Sequence, residues 1–224
     1  MPPFDFAIIG SSAGSAFEAF DKILATVRRP IRPLVIVDRE CGFEKLSRAR
    51  GYVTERLSFD SASSFSSRVD ELLGQNDVSN VLLMYTRLVS EPLLSRRKVC
   101  NIHPSLLPAY RGLGAVDQAL AAGDHVLGCS LHAVDGGMDT GQLISQVSCT
   151  LPAGCSNRYA HRLSYLQKVW LMLVWRAALE RPLATSLERV PIKASAGVEQ
   201  ASHPLPQDVL DAYCRWARHL APAS

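Results

Sequence analysis

The stretch NIHPSLLPAYRG, residues 101–112, combines the end of a strand with polar groups that can do chemistry. Asn101 and His103 lie two residues apart, so an extended backbone turns both side chains to the same side. Pro104 ends regular strand pairing, because proline has no N–H to donate. The stretch therefore predicts two polar side chains held on one face at the end of a strand.

Short apolar runs alternate with helix-length segments on the N-terminal side of this stretch. The predicted strands are residues 6–10, 34–38, 81–85 and 100–103, and helical patterns run through Val27, over 44–50 and over 63–73. Apolar runs of this length are typical of strands buried on both faces of a parallel sheet. The sequence therefore predicts an α/β fold of three layers with a mostly parallel, Rossmann-like sheet.

The pattern changes on the C-terminal side. The predicted elements there are strands over 127–134 and 142–151, a long helix over 157–179 and a shorter helix over 207–220. A loop rich in Gly and Asp, residues 135–141, joins the two strands. Residues 181–205 are rich in Pro, Ser and Ala, and we expect them to be irregular. We predict a catalytic domain over 1–180 and a C-terminal extension over 181–224 packed on or beside it.

The composition is that of an ordinary soluble globular protein. The 224 residues are 47% hydrophobic and 20% charged, with a net charge of +3. The N-terminal residues lack a signal-peptide pattern, and the longest apolar run is too short to span a bilayer. Six cysteines show no metal-site spacing, so we expect free thiols, a cytoplasmic location and no metal. No aromatic residues interleave with a basic stripe, so no nucleic-acid partner is expected.

The loop Gly-Ser-Ser-Ala-Gly-Ser at 10–15 lies between a predicted strand and a predicted helix. Backbone N–H groups and the helix dipole favour an anion at such a point. The candidate ligands of an acceptor phosphate are Ser11, Ser12, Gly14 and Ser15. A turn that merely starts the helix is an equal alternative. Asp38, at the end of the second predicted strand, adds a further feature of dinucleotide-binding sites. The GxGxxG motif is nevertheless incomplete, because Ser12 and Ser15 stand where it requires glycine. A dinucleotide oxidoreductase is therefore an alternative that rests on the Gly10–Asp38 pattern alone.

The loop at 135–141 can supply a carboxylate to the polar residues at 101–103. A carboxylate from that loop can approach His103 and hold its tautomer. Together, an amide, an imidazole and a carboxylate suit acyl transfer to an amine. The amide and the imidazole stabilise the developing oxyanion, and the ionisable pair moves protons. No serine or cysteine nucleophile is required if the acceptor amine attacks directly.

Three blocks of the chain resemble the folate-dependent formyltransferase superfamily. They are Asn-Ile-His-Pro-Ser-Leu-Leu-Pro at 101–108, Arg-Gly at 111–112 and Asp-Gly-Gly-Met-Asp-Thr-Gly at 135–141. The superfamily includes glycinamide ribonucleotide, methionyl-tRNA and sugar-nucleotide formyltransferases, together with formyltetrahydrofolate hydrolase. The resemblance implies a formyltransferase-type fold, a transferase of one-carbon metabolism, and N10-formyltetrahydrofolate as the cosubstrate.

The resemblance also implies roles for individual residues. Asn101, His103 and Asp139 match the catalytic trio of the family. His103 would stabilise the oxyanion and transfer the proton, Asn101 would bind the formyl oxygen, and Asp139 would orient His103. The implied folate-binding residues are Arg87, Leu88 and Val89, with Val134, Asp135, Gly136, Gly137 and Met138 in a loop that closes over the pterin ring. Arg111 is a further candidate for binding the acceptor.

The acceptor itself is less constrained. Glycinamide ribonucleotide enzymes carry Asn side chains where this chain has Ala13 and Ala16, and an acidic residue where it aligns Tyr165. The tRNA branch relies on a further C-terminal barrel, for which too few residues follow position 150. We therefore expect a small-molecule amine, of a sugar nucleotide or a specialised metabolite, as the acceptor.

Three alternatives remain open at this point. The chain could be a phosphoribosylglycinamide formyltransferase, a formyltetrahydrofolate hydrolase, or a catalytically silent folate-binding protein. Dependence on an acceptor separates the first from the second, and retention of the whole trio argues against the third. A homodimer through an exposed sheet edge or the 207–220 helix is equally open.

Overall fold

The computed structural model describes residues 4–192 and 196–220, and the chain divides into two compact units. The first unit holds the described residues up to Glu18, with Pro30–Asn101 and Ala133–Met138. The second holds Ala19–Arg29, Ile102–His132 and the described residues from Asp139 onward. The division at residue 180 stays a prediction. Residues 193–195 and 221–224 of the proposed C-terminal extension lie outside the described residues.

Strands and helices alternate through most of the chain. In order they are β1 (Phe6–Gly10), α1 (Ser15–Thr26), β2 (Pro33–Val37), α2 (Gly42–Ala49), β3 (Thr54–Arg56), α3 (Ala62–Gln75), β4 (Asn80–Met84), α4 (Leu93–Arg96), β5 (Lys98–His103), α5 (Ala115–Ala121), β6 (Val126–Ala133), β7 (Leu143–Thr150), α6 (Asn157–Glu180), β8 (Val190–Pro191), β9 (Gln200–Ala201) and α7 (Gln207–Arg218). The predicted strands and long helices are confirmed to within two residues at most ends.

One prediction about the C-terminal region is wrong. Residues 181–205, expected to be irregular, contain β8 and β9, and β9 pairs antiparallel with β7 through Val147 and Ala201. Two-residue strands are too short to show an alternating pattern, and tertiary pairing alone creates them. The four-residue α4 and the seven-residue α5 are likewise too short to show a clear helical pattern in the sequence.

Five parallel strands form the sheet of the first unit, in the order β3-β2-β1-β4-β5. All residues of β1 and β2 are buried, as expected for strands covered on both faces. Gly10 lies opposite both Val37 and Met84, so the carboxyl ends of three strands meet at one edge. Ligands of parallel sheets bind at such an edge. The predicted mostly parallel α/β sheet is confirmed.

The second unit is built on antiparallel strands in the order β6-β7-β9-β8, with α6 packed against them. Gln167 of α6 donates to the carbonyl oxygen of Leu127 at 3.1 Å, and Cys129 lies 3.8 Å from the carbonyl oxygen of Ser164. Burial raises the pKa of Cys129 to about 11. This thiol therefore stays neutral near pH 7 and packs as a small apolar group.

Within the ranges 4–192 and 196–220, no helix combines the length and the apolar character needed to cross a bilayer. The same ranges hold no cluster of three or more His, Cys, Asp or Glu side chains placed to bind a metal ion.

Asp70 links α3 to the two arginines around the end of α4, and its removal should destabilise the first unit. Its buried carboxylate accepts from Arg97 Nε at 2.6 Å and from Arg96 Nη1 at 3.0 Å. Burial by itself would raise the pKa of Asp70, but the two hydrogen bonds outweigh it and lower that pKa. We expect Asp70→Asn to lower the free energy of unfolding by about 2 kcal/mol at pH 7, measured by chemical denaturation.

The same interaction predicts a pH dependence. A lowered folded pKa gives stability that is present above the unfolded pKa of about 3.9 and is lost as pH falls through the folded pKa. The difference between wild type and Asp70→Asn should therefore shrink below about pH 4. Asp60→Asn, which removes an exposed partner of Arg68, is the control and should cost less than about 0.5 kcal/mol. Equal losses at pH 7 would contradict this explanation.

Candidate active site

The last residue of β5, His103, is buried, and both of its ring nitrogens face oxygen atoms. Nδ1 lies 3.2 Å from Oδ2 of Asp139, and Nε2 lies 2.7 Å from the backbone carbonyl oxygen of Tyr110. A carbonyl oxygen only accepts hydrogen bonds, so this contact assigns a hydrogen to Nε2. The imidazole is therefore oriented from two sides, by a carboxylate and by a backbone carbonyl.

The carboxylate of Asp139 lies between two imidazoles. Its Oδ2 also accepts from the backbone N–H of Gly112 at 2.9 Å, and its Oδ1 lies 3.4 Å from Nε2 of His132. The Asp139 side chain is only 11% exposed, and low exposure strengthens each of these contacts. Asp139 has φ +53°, a left-handed conformation that is uncommon outside glycine. Its backbone is thus held in an unusual state that presents the carboxylate to both rings.

The turn at 110–112 supplies the two backbone groups of this arrangement. Tyr110 has φ +51° and Gly112 has φ +84°, so two of its three residues are left-handed. At Gly112 this conformation carries no Cβ penalty. Arg111 stands between them with an exposed side chain. Its proposed role in binding the acceptor stays a prediction.

His132 is a residue that the sequence reasoning missed. It lies on β6, inside an apolar run, where a single histidine usually has a structural role. A usable signal was nevertheless present, because strand alternation puts His132 on the same face as Ser130, and Asp139 follows seven residues later. His132 extends the predicted trio by a second imidazole on the same carboxylate.

Asn101 lies on the same strand as His103 but belongs to the first unit. It is half-buried and lies opposite Leu83 of β4 in the parallel pairing. The common face with His103, a residue of the second unit, stays a prediction from the two-residue spacing. The role of Asn101 toward a formyl oxygen stays a prediction.

The two predicted folate-binding segments lie against one core cluster of the first unit. Val89 is a member of this cluster, and Val134 packs against it while its N–H donates to Val99 at 2.8 Å. Leu88 is 55% exposed and Met138 is 53% exposed. Each segment therefore has a fixed apolar end and a neighbouring apolar side chain in solvent. This arrangement of apolar side chains fits a flat ring with apolar faces.

The second segment, residues 134–138, contains a tight turn with open space beside its backbone. Asp135 accepts from the N–H of Gly137 at 2.9 Å, which closes a tight turn. A Cβ added at Gly136 would meet no atom within 4 Å, so open space adjoins the backbone there.

Arg87 is held by Asp38 and does not extend freely into solvent. Its Nε lies 3.1 Å from Oδ2 of Asp38, and its guanidinium lies 4.4 Å from the ring centre of Phe59. The same carboxylate accepts from the Tyr85 hydroxyl at 3.0 Å and from Arg39 at 3.3 Å. Burial and the hydrogen bond to Asp38 raise the pKa of Tyr85, so its phenol remains a donor. Asp38 thus orients Arg87, a role that the dinucleotide pattern did not suggest.

The first loop folds around Phe43. A Cβ at Gly10 or at Gly14 would lie 2.6 or 2.7 Å from the Phe43 ring, so both glycines are required for close packing. The carbonyl of Ser12 accepts from the N–H of Phe43 at 2.9 Å. Ser11 and Gly14 are buried, whereas Ser12 and Ser15 are exposed beside the start of α1. Packing explains the glycines, and phosphate binding by the four residues stays a prediction.

Comparison with known proteins supplies a family. Residues 32–174 match the model of a protein family described as formyl transferase. The chain is 36% identical over 149 residues to a phosphoribosylglycinamide formyltransferase of Bacillus subtilis (strain 168), which covers 63% of this chain and 76% of that protein.

Solved structures confirm the fold of the formyltransferase type. A glycinamide ribonucleotide transformylase 1 from Symbiobacterium toebii superposes with a TM-score of 0.73 at 29% identity, over 81% of this chain and 90% of that one. A formyltetrahydrofolate deformylase from Pseudomonas syringae pv. tomato superposes with a TM-score of 0.71, over 80% of this chain and 63% of that one. At 20% identity this second likeness concerns the fold alone.

The contacts of Asp139 predict a large kinetic effect of a small change. Asp139→Asn keeps the size of the side chain but replaces one oxygen by an NH₂ group, so His103 or His132 loses its carboxylate partner. We expect turnover in formyl transfer to fall on the order of 10⁴-fold, as when a triad carboxylate is replaced by an amide, measured by steady-state kinetics.

Asp117→Asn is the matched control for this substitution. Asp117 also pairs with a histidine, His161, at 2.9 Å, but both side chains are exposed on the surface of the same unit. Its loss should change turnover less than about twofold, because an exposed pair contributes little. A similar fall in both variants would show that the Asp139 contacts have no special part in the reaction.

Proposed function

Because the chain belongs to the formyl transferase family, we propose that it moves the formyl group of N10-formyltetrahydrofolate to the primary amine of glycinamide ribonucleotide. The observation that carries the proposal is the contact between Asp139 Oδ2 and His103 Nδ1 at 3.2 Å, at the buried end of β5. The Bacillus subtilis relative supports this acceptor over the sugar nucleotide that the sequence analysis preferred. Glycinamide ribonucleotide therefore takes the place of the sugar nucleotide as the proposed acceptor.

The first unit offers the residues that would hold the donor. Leu88 and Met138 would contact the faces of the pterin ring, and the turn at 135–137 would bring backbone groups to its edge. Arg87, oriented by Asp38 and Phe59, would supply a guanidinium of fixed position. When bound, the donor supplies a formyl carbon that a nucleophile can attack and a nitrogen that leaves.

His103 is the group we assign to the formyl oxygen. Negative charge develops on that oxygen as the amine adds, and the Nε2–H of His103 would be shared between it and the Tyr110 carbonyl, which keeps the ring oriented. Asp139 at Nδ1 stabilises positive charge on the ring and keeps it oriented. The Asn101 amide, two residues earlier on β5, would give a second donor. Loss of one such donor typically lowers turnover ~10²–10³-fold.

The attacking amine must lose a proton before or during the reaction. The acceptor amine of glycinamide ribonucleotide is an α-amino group beside a carbonyl, with a pKa of about 8, so at pH 7 it is mostly protonated and cannot attack. Oδ1 of Asp139 faces His132 and Oδ2 faces His103, so this carboxylate could pass a proton between two rings. We assign the acceptance of the amine proton to Asp139 and its two imidazoles, which would return a proton to the leaving nitrogen as its bond to the formyl carbon breaks. The products are then the N-formyl amide and tetrahydrofolate, with no net change in protons on the enzyme.

Another amine remains the second candidate acceptor, on the strength of two features. Residues 156–179, which include most of α6, contain no Asp or Glu that could meet the acceptor amine. Tyr165 on that helix lies 5.9 Å from Trp216 of α7, ring centre to ring centre. The side chain that aligns with the acidic residue of glycinamide ribonucleotide enzymes is thus an aromatic ring packed on another helix. Both features favour a different acceptor, such as the amine of a sugar nucleotide or a specialised metabolite.

The acceptor can be assigned by following the spectral conversion of formyltetrahydrofolate to tetrahydrofolate. We expect turnover with glycinamide ribonucleotide, at least about tenfold less with an amino-sugar nucleotide, and a negligible rate without amine. His103→Ala should lower turnover at least about 10²-fold. The exposed His161→Ala is its control and should retain activity. Turnover with the amino-sugar nucleotide but not with glycinamide ribonucleotide would reject the first acceptor in favour of the second. Equal turnover without any amine would show that the protein is a hydrolase.

A further inference from the structure

The loop after β5 holds His103 through one backbone group, and that loop is itself held from behind. Residues 104–110 end at Tyr110, whose carbonyl oxygen lies 2.7 Å from Nε2 of His103. With φ +51°, Tyr110 has a conformation that is costly for a residue with a bulky side chain. The position of this carbonyl therefore depends on the groups that fix the loop.

Two buried side chains bind the middle of the loop. Ser130 Oγ, on β6, donates to the carbonyl of Ser105 at 2.7 Å and accepts from the N–H of Leu107 at 3.0 Å. Gln146 Nε2, on β7, donates to Ser130 Oγ at 2.9 Å and to the carbonyl of Leu107 at 3.1 Å. Both hydrogens of the Gln146 amide are thus used, one on the loop and one on the serine that binds the loop.

The orientation of the Gln146 amide follows from its partners. The Leu107 carbonyl only accepts, so the NH₂ group faces the loop, and Oε1 accepts from Nη1 of Arg189 at 3.3 Å. Arg189 directly precedes β8, which β9 connects to β7. Ser202 at the end of β9 adds a hydrogen bond to the carbonyl of Leu187. Gln146 is therefore the point where the segment after α6 meets the loop that holds His103.

We propose that Gln146 is a positioning residue for formyl transfer, because it holds residues 104–110 so that the Tyr110 carbonyl keeps the His103 ring in place. Its kinetic consequence rests on the proposed function, whereas its structural consequence does not. Gln146 is buried, and among the described residues its side chain binds Leu107, Ser130 and Arg189, none of which we assign to the chemistry. A displacement of about 1 Å at a reacting group can lower turnover about 10²-fold.

The kinetic test compares Gln146→Met with Gln167→Met. Gln167 is the matched control, since it is buried in the same unit and its amide donates to Leu127 and Cys149, outside the loop. We expect Gln146→Met to lower kcat about 10- to 100-fold while KM for donor and acceptor changes less than about twofold. Gln167→Met should lose comparable thermal stability but keep kcat within about threefold.

A second readout needs no turnover. In protein labelled with ¹⁵N-histidine, the Nε2–H signal of His103, assigned by its absence in His103→Ala, should be protected from exchange with water by the Tyr110 carbonyl. Gln146→Met should speed this exchange at least about tenfold, and Gln167→Met should leave it unchanged. Arg189→Met removes only the partner of Gln146 Oε1, so it should speed exchange of the His103 Nε2–H by a smaller factor. This variant replaces Gln146→Met in the test if Gln146→Met does not fold.

The outcomes separate the two proposals. Faster exchange in Gln146→Met of a protein that transfers no formyl group would support the positioning role and reject only the proposed function. Unchanged protection in Gln146→Met, or equal acceleration in Gln167→Met, would overturn the positioning role whether or not the enzyme turns over.

Discussion

A single carboxylate joins the parts of the candidate active site. Asp139 accepts from the backbone of the 110–112 turn and lies against the rings of His103 and His132, so one acceptor joins the stretches 103–112 and 132–139. The site is almost closed to water, and a buried donor that loses its acceptor costs about 1–3 kcal/mol. The left-handed backbone at Asp139 and at Tyr110 is tolerated because these contacts compensate for it.

The rest of the second unit supports this arrangement from behind. β6 and β7 place Ser130 and Gln146 beneath the loop after His103, and antiparallel pairing with β9 brings Arg189 within reach of Gln146. In the first unit, Asp38 has a similar part, since its buried carboxylate fixes Arg87 and Tyr85 beside the predicted folate segments. In both units a buried acceptor orients a side chain for which we propose a ligand.

The sequence predicts most of the fold because a parallel strand buried on both faces consists of a continuous run of apolar residues. The runs at 34–38 and 81–85 could be recognised without any neighbour, whereas β8 and β9 exist only through their pairing with β7. Asn101, His103 and Asp139 could be named because side-chain chemistry is visible in a motif. The Tyr110 carbonyl could not, because every residue has one and only the folded backbone aims it.

Two other parts of the site lay beyond sequence reasoning for similar reasons. His132 resembles a structural histidine until the turn at Asp139 brings the carboxylate to it. Gly10 and Gly14 suggest a phosphate loop, but their lack of a side chain is explained by the ring of Phe43, which comes from a segment about 30 residues further along. In both cases a contact that only the folded chain makes decides what the residue does.

The most direct test of the central claim, formyl transfer to an amine through His103 and Asp139, follows the formyl carbon itself. Formyltetrahydrofolate labelled with ¹³C in the formyl group is incubated with the protein and glycinamide ribonucleotide, and the label is followed by NMR. The account predicts that the label appears in the N-formyl amide of the acceptor, and that Asp139→Asn abolishes this signal within the time of the wild-type reaction. Label that accumulates as free formate at the same rate with and without the acceptor would contradict it.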